Sequence, residues 1–165
     1  MRILGLDPGS AITGYGLIEF AGGRYTLNEY GALRTSPPAS AAERLLSLYE
    51  QINALLERTQ PEQIAVEELF FNRNTTTAIP VGQARGILLL AGAQRHLPIA
   101  EYTPLQVKQA LTGYGHADKS QIQYMVARLL KLQDVPKPDD AADALAIAIT
   151  HAHYYAGLKL RGELP

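Results

Sequence analysis

Apolar residues recur along this chain with two periods, and each period marks an element. Arg2 to Leu6 is a short, mostly apolar run ending at Asp7-Pro8-Gly9, which reads as a first strand. Roughly Gly14 to Phe20 reads as a second strand, and Gly22-Gly23 is a hairpin turn into a third, roughly Tyr25 to Arg34. Three strands joined this tightly predict an antiparallel meander. At Ala41 the period changes. Leu45, Leu48, Tyr49, Ile52, Leu55 and Leu56 fall on one helical face up to Arg58, behind a capping Ser40. Ile64-Ala65-Val66 is a short buried strand.

Asn74 to Leu97 has helical character overall, interrupted by Pro80, Gly82, Gly86 and Gly92. Pro80 either starts the regular part or kinks it. Pro98 to Tyr102 reads as a fifth strand. Thr103-Pro104-Leu105-Gln106 has a capping threonine, a proline at the first helical position and a glutamine at the third, and the short helix it opens should stop at Gly113. Asp118-Lys119-Ser120-Gln121 is a second such box, opening a helix that carries Ile122, Met125, Val126, Leu129 and Leu130. The last helix follows Pro138 and is expected to run to about Tyr155. The order of elements predicts an α/β fold: a five-stranded mixed sheet, with a meander at one side, parallel strands added by helical crossovers, and helices on both faces.

Composition narrows the picture only a little. The 165 residues suit a single domain over 1–165, with about the last eight residues expected as a flexible tail. There is no cysteine, which excludes disulfides, zinc-thiolate sites and cysteine nucleophiles. The N-terminus meets a charge and a proline too soon for a signal peptide. The longest apolar stretch, Ile87 to Ala93, is too short to span a bilayer, so a cytoplasmic location is expected. The net charge of −1 runs mildly against nucleic-acid binding, where a basic balance is usual. A metal-dependent nuclease escapes that expectation, because its acids lower the net charge while separate lysines and arginines meet phosphate.

The candidate chemistry lies in the acids. Asp7 sits where the first strand runs out, and ligand sites of open α/β sheets gather at the carboxyl ends of strands. Its bland alternative is an aspartate that accepts turn hydrogen bonds. Glu67 and Glu68 end the fourth strand and, by strand alternation, point in opposite directions, so only one should converge with Asp7. Asp139, Asp140 and Asp143 open the last helix, where either Asp139 or Asp140 shares a face with Asp143. Acids are also favoured there by capping and by the helix dipole. Geometry does not choose between the two; the working expectation is that Asp139 caps the helix and Asp140 enters the site. Together these oxygen ligands favour magnesium or manganese. Two such ions about 4 Å apart activate water and stabilise the leaving oxygen in phosphoryl displacement.

Several blocks, in order through nearly the whole chain, resemble the RuvC-type Holliday junction resolvases. They are Leu4-Gly5-Leu6-Asp7-Pro8-Gly9-Ser10 with Thr13-Gly14-Tyr15-Gly16, Ala65-Val66-Glu67-Glu68-Leu69-Phe70, Gly82-Gln83-Ala84-Arg85-Gly86, Gln106-Val107-Lys108-Gln109, Lys119-Ser120-Gln121 and Asp140-Ala141-Ala142-Asp143-Ala144-Leu145-Ala146-Ile147-Ala148. The resemblance implies a ribonuclease H-like fold. It also implies a homodimer that resolves four-way DNA junctions by paired cuts leaving a 5′-phosphate and a 3′-hydroxyl, and a branch-migration helicase complex of the RuvA/RuvB type as partner. It places the metal-holding acids at Asp7, Glu67, Asp140 and Asp143, with two Mg2+ or Mn2+ ions per site, and leaves Asp139 and Glu68 as neighbours. It also sets Lys108 and Lys119 beside the scissile phosphate, where a lysine stabilises developing negative charge. Phe70 best matches the family's base-stacking position, which brings Arg73 and Asn74 within reach of bases or phosphates.

Other residues carry weaker signals. Arg85 lies in a helix and reads equally as structural. His151 and His153 are two apart on a helix and diverge, His116 sits in a glycine-rich turn, and no metal set forms from them. The apolar run Ile87 to Leu90 reads as either a dimer stripe or core. Two rival functions remain on sequence grounds. One is an actin-like or sugar-kinase-type ATPase, because Asp7-Pro8-Gly9 and the hairpin resemble a first phosphate loop; the chain is short for two lobes and lacks a second such loop. The other is a non-catalytic nucleic-acid-binding domain, which would have no use for four acids facing a polyanion.

Overall fold

Alternation within the first strand decides which layer covers which face. A computed structural model describes residues 1–36, 38–68 and 75–163. Its elements are β1 (Arg2–Asp7), β2 (Ile12–Ala21), β3 (Arg24–Arg34), α1 (Ala41–Thr59), β4 (Gln63–Glu67), α2 (Thr75–Gln94), β5 (Ile99–Tyr102), α3 (Pro104–Thr112), α4 (Lys119–Leu129) and α5 (Asp139–Leu160). In β1, Leu4 and Leu6 point to one side and join Leu48, Ile52, Leu56 of α1 and Leu88 of α2. Ile3 points to the other side and joins Val107, Val126, Leu145 and Ile149 of α3, α4 and α5. Helices therefore cover both faces, as the pattern predicts.

The sheet order is β3-β2-β1-β4-β5. The meander is antiparallel, with a register shift between Leu17 and Ile18. β4 adds parallel to β1 and β5 parallel to β4. This is the five-stranded mixed sheet expected from the order of elements.

Helix α5 is the centre of the molecule. It lies across β1 and β2 and is covered from outside by α3 and α4. That double burial explains why Ala141, Ala142 and every residue from Ala144 to Ala152 are buried. Small residues set how close it comes. A Cβ on Gly5 would fall 2.0 Å from the Ala144 carbonyl oxygen, and one on Gly14 would fall 1.9 Å from that of Asp140. No side chain fits between strand and helix at either point, so the start of α5 rests directly on β2.

Helix ends follow local chemistry with one exception. Ser40 and Glu43, Thr103 and Gln106, and Asp118 and Gln121 each form a reciprocal capping box. Helix α3 ends on Gly113 in the left-handed region, as expected. The expectation that Asp139 caps α5 is corrected: Pro138 occupies the cap position, no side chain caps the helix, and Asp139 is its first residue. Helix α5 also continues past Tyr155 to Leu160. Pro80 lies within α2, neither at its start nor at a break between two helices. The run from Ile87 to Leu90 divides between environments, with Leu88 fully buried and Leu90 exposed.

Candidate active site at the ends of the central strands

Two parallel strands end side by side, and each ends in an acid. Leu6 pairs in register with Val66, so the next residues, Asp7 and Glu67, emerge together at the carboxyl ends of β1 and β4. Strand parity puts them on the α5 face. Val66 belongs to the core beneath α1 and α2, and Ala65 to the core beneath α5, so Glu67 points with Ala65. Glu68 is exposed, and its backbone N–H donates to the Tyr102 carbonyl at 2.9 Å. Parity thus separates the two glutamates.

The remaining acids arrive on α5. Asp7 pairs in register with Gly14, and Gly14 is the position on which the Asp140 backbone rests. The start of α5 is therefore seated beside the end of β1. One turn later, Asp143 reaches the cleft lined by Glu67, Pro104, Val107, Lys108, Lys119 and Ile122, a space of about 240 Å³. Lys119 donates to the Asp143 carboxylate at 3.0 Å and lies 3.5 Å from Asp139. Lys108 and Lys119 come from the separate helices α3 and α4, yet they share this cleft.

Crowded carboxylates in a partly dry site resist ionisation. Burial, then the charges of Glu67, Asp143 and Asp140, push the Asp7 carboxyl up to about 8, with Lys119 opposing. Burial and Asp143 raise Glu67. Burial raises Asp143 too, against the pull of Lys119. Asp139 behaves oppositely: the ammonium groups of Lys137 and Lys119 hold it below the usual carboxylate range. Asp140 thus adds to the repulsion felt by Asp7, while Asp139 lies between Lys119 of the cleft and the exposed Lys137. Among the described residues, no three Asp, Glu or His side chains are already gathered into a finished metal cage. The donor set is all oxygen, and its repulsion is of the kind a divalent cation relieves.

Support for the site was only partly visible in sequence. Arg85 of α2 donates from Nε to the Glu67 carbonyl oxygen at 3.2 Å and ion-pairs with Glu101 of β5, so it ties the end of β4 to α2 and β5. Arg44 of α1 donates to the Ser10 carbonyl in the turn after Asp7 and to the Thr35 hydroxyl. Neither long-range partner leaves a periodic trace in the chain. Gly14 was legible as part of a motif but not as the seat of α5. His151 is a core histidine bonded to Tyr102 at 2.8 Å and to Gln63, and burial pushes its pKa down to about 4. Phe70, Arg73 and Asn74 lie outside the described residues.

Comparison with known proteins decides the family. The model of the family "Crossover junction endodeoxyribonuclease RuvC" matches residues 3–151. The chain belongs to the RuvC family. It is 65% identical over 153 residues to the crossover junction endodeoxyribonuclease RuvC of Desulfitobacterium hafniense, covering 93% of each chain. It is 59% identical over 155 residues to that of Pelotomaculum thermopropionicum, covering 94% of each. The structure of Thermus thermophilus RuvC in complex with a Holliday junction substrate superposes with a TM-score of 0.89 at 41% identity, covering 94% of each chain. The RuvC fold is thus the ribonuclease H-like sheet that the sequence blocks implied, and neither rival function fits a chain of this family.

Proposed function

We propose that this protein is a nuclease of a single domain over residues 1–165 that resolves four-way DNA junctions by metal-dependent hydrolysis of phosphodiester bonds. The observation that carries this reading is the meeting of Asp7, Glu67 and Asp143 with two lysines at one strand-end cleft, in a chain of the RuvC family. Asp7, Glu67, Asp140 and Asp143 are the groups we assign to metal binding. Their oxygen-only chemistry suits Mg2+ or Mn2+, and two ions per site are in keeping with four acids. When bound, such ions supply an activated water and charge neutralisation at the leaving oxygen.

The chain's own residues do the rest. The four carboxylates exchange mutual repulsion for attraction to cations. Lys108 and Lys119 hold the scissile phosphate at the cleft and oppose the negative charge that grows on it. Phe70, Arg73 and Asn74 belong to the DNA surface in this reading, stacking on a base and contacting its neighbours. The products are a 5′-phosphate and a 3′-hydroxyl.

Two opposed strands must be cut, and a two-fold homodimer presents one site to each. The exposed face Ile79–Gln83–Gly86–Leu90 of α2 supports a dimer surface. Ile79 is 70% and Leu90 49% exposed, and an added Cβ at Gly86 would meet nothing within 4 Å. A branch-migration helicase complex of the RuvA/RuvB type is the proposed partner that delivers the junction. No helix among the described residues is long and apolar enough to cross a membrane, and we place the protein in the cytoplasm with its DNA substrate.

The test compares a synthetic four-way junction, a plain duplex and an RNA–DNA hybrid, each with and without Mg2+ or Mn2+. Wild type should cut the junction alone and only with metal. Asp7→Asn should bind the junction with unchanged Kd and cut it about 10²- to 10³-fold more slowly, the order expected when a transition-state stabiliser is lost. Junction cutting by Asp7→Asn at the wild-type rate would sink the metal assignment.

A further inference from the structure

Lys119 is placed where a cation is poorly received. It is the first residue of α4, and its ammonium reaches the first turn of α5. Both helix N-termini carry partial positive charge. Two acids counter this. Asp143 accepts from the Lys119 Nζ at 3.0 Å, and Asp139 Oδ2 lies 3.5 Å away. Asp143 is one of the groups assigned to metal binding, so its oxygens serve a divalent ion in the working enzyme. Asp139 is not claimed in this way. Its other oxygen, Oδ1, is held by Lys137 at 3.0 Å. The carboxylate therefore spans two lysines, with one oxygen tethered outside the cleft and the other turned toward Lys119.

We propose that Asp139 is a positioning residue that keeps the Lys119 ammonium at the mouth of the cleft once Asp143 has turned to its metal. The inference rests on the reading of Lys119 as a phosphate-facing group in junction cleavage. It makes Asp139 a part of the site that touches neither metal nor DNA and acts only through Lys119. Because Lys119 is 54% and Asp139 48% exposed, the pair is screened by solvent and its effect is modest. Removing the charge should cost about three- to five-fold in rate, the range open to an exposed ion pair. It should leave metal and junction affinities alone, because neither ligand touches Asp139.

The experiment is single-turnover cleavage of a four-way junction by the full-length protein with Mg2+. The proteins are wild type, Asp139→Asn, Asp139→Glu, Lys119→Ala and the double variant Asp139→Asn/Lys119→Ala. Expected is a slower cleavage step for Asp139→Asn with unchanged junction Kd and unchanged Mn2+ affinity, and recovery in Asp139→Glu. The Asn substitution should have no further effect in the Lys119→Ala background. A second readout needs no turnover. Nitrogen-15 relaxation at the Lys119 Nζ, in Mg2+-loaded protein without DNA, should show a restricted ammonium in wild type and a freely rotating one in Asp139→Asn. Wild-type rates in Asp139→Asn, equal slowing with and without Lys119, or identical ammonium mobility in the two proteins would each overturn the proposal. If Lys119→Ala itself cut at the wild-type rate, the reading of Lys119 would fall and Asp139 with it. A slow Lys119→Ala beside a normal Asp139→Asn would remove Asp139 alone.

Discussion

Asp7 shows how a single residue trades stability for chemistry. Its carboxyl has an ordinary value of 3.8 and is pushed up to about 8 by burial and by Glu67, Asp143 and Asp140. A carboxyl with a higher pKa folded than unfolded binds more protons in the native state between those values. Its contribution therefore turns against folding as pH rises from the lower value through the upper one. In metal-free protein, thermal melting should show wild type losing ground to Asp7→Asn between about pH 5 and about pH 8. At the upper end the variant should melt about 3–6 °C higher. Divalent ions should raise the Tm of wild type and barely move that of Asp7→Asn. Equal melting of the two metal-free proteins at both pH values would contradict the crowding of acids around Asp7. The identity of this residue was plain in the sequence, at the end of the first strand. Its perturbed ionisation was not, because that depends first on burial in the folded protein and then on three acids far away in the chain.

Among the elements, α5 places the most. It brings Asp140 and Asp143 to the strand ends, and it can do so only because Gly14 leaves room for the Asp140 backbone. The obstacle to a Cβ there is a carbonyl oxygen of the helix itself, which cannot rotate aside. Gly14→Ala should push the start of α5 off β2 and destabilise the protein by about 1–3 kcal/mol, as overpacking does. The same displacement should lower cleavage on the order of 10²-fold, the penalty for moving a catalytic group by about 1 Å. Urea unfolding read alongside single-turnover cleavage checks both effects. A variant with wild-type stability and rate would show that this contact does not seat the acids. Helix ends were the most legible elements, because a capping box needs only four consecutive residues. The start of α5 was the least, since the adjacent Asp139 and Asp140 could each serve as cap or ligand.

For the whole molecule, the proposed homodimer would present two active sites to one junction. The face Ile79–Gln83–Gly86–Leu90 lies along α2, which packs on α1 and leaves this side to solvent. Leu90→Glu should convert a dimer to a monomer in light scattering, because a charge buried in an interface without a partner costs several kcal/mol, or roughly 10³-fold in association. The monomer should fold normally and nick a junction without completing the paired cut. A stable Leu90→Glu dimer would move the interface elsewhere.

The sequence by itself determined the element order, the caps of α1, α3 and α4, the mixed sheet and the kinds of residue in the candidate site. Each of these depends on neighbours within a turn or a strand length, and periodicity records such neighbours. It left Glu67 against Glu68 and Asp139 against Asp140 open, and in the sequence only resemblance to a family separates them. Tertiary structure supplied the physical reason. Strand parity turns Glu67 toward α5 and Glu68 away from it, the Gly14 seat sets Asp140 beside Asp7, and Asp139 is shared between Lys119 and Lys137. Apart from the Lys137–Asp139 pair, those outcomes are set by residues far apart in the chain. No local pattern carries them, and the fold decides them through close approach and charge.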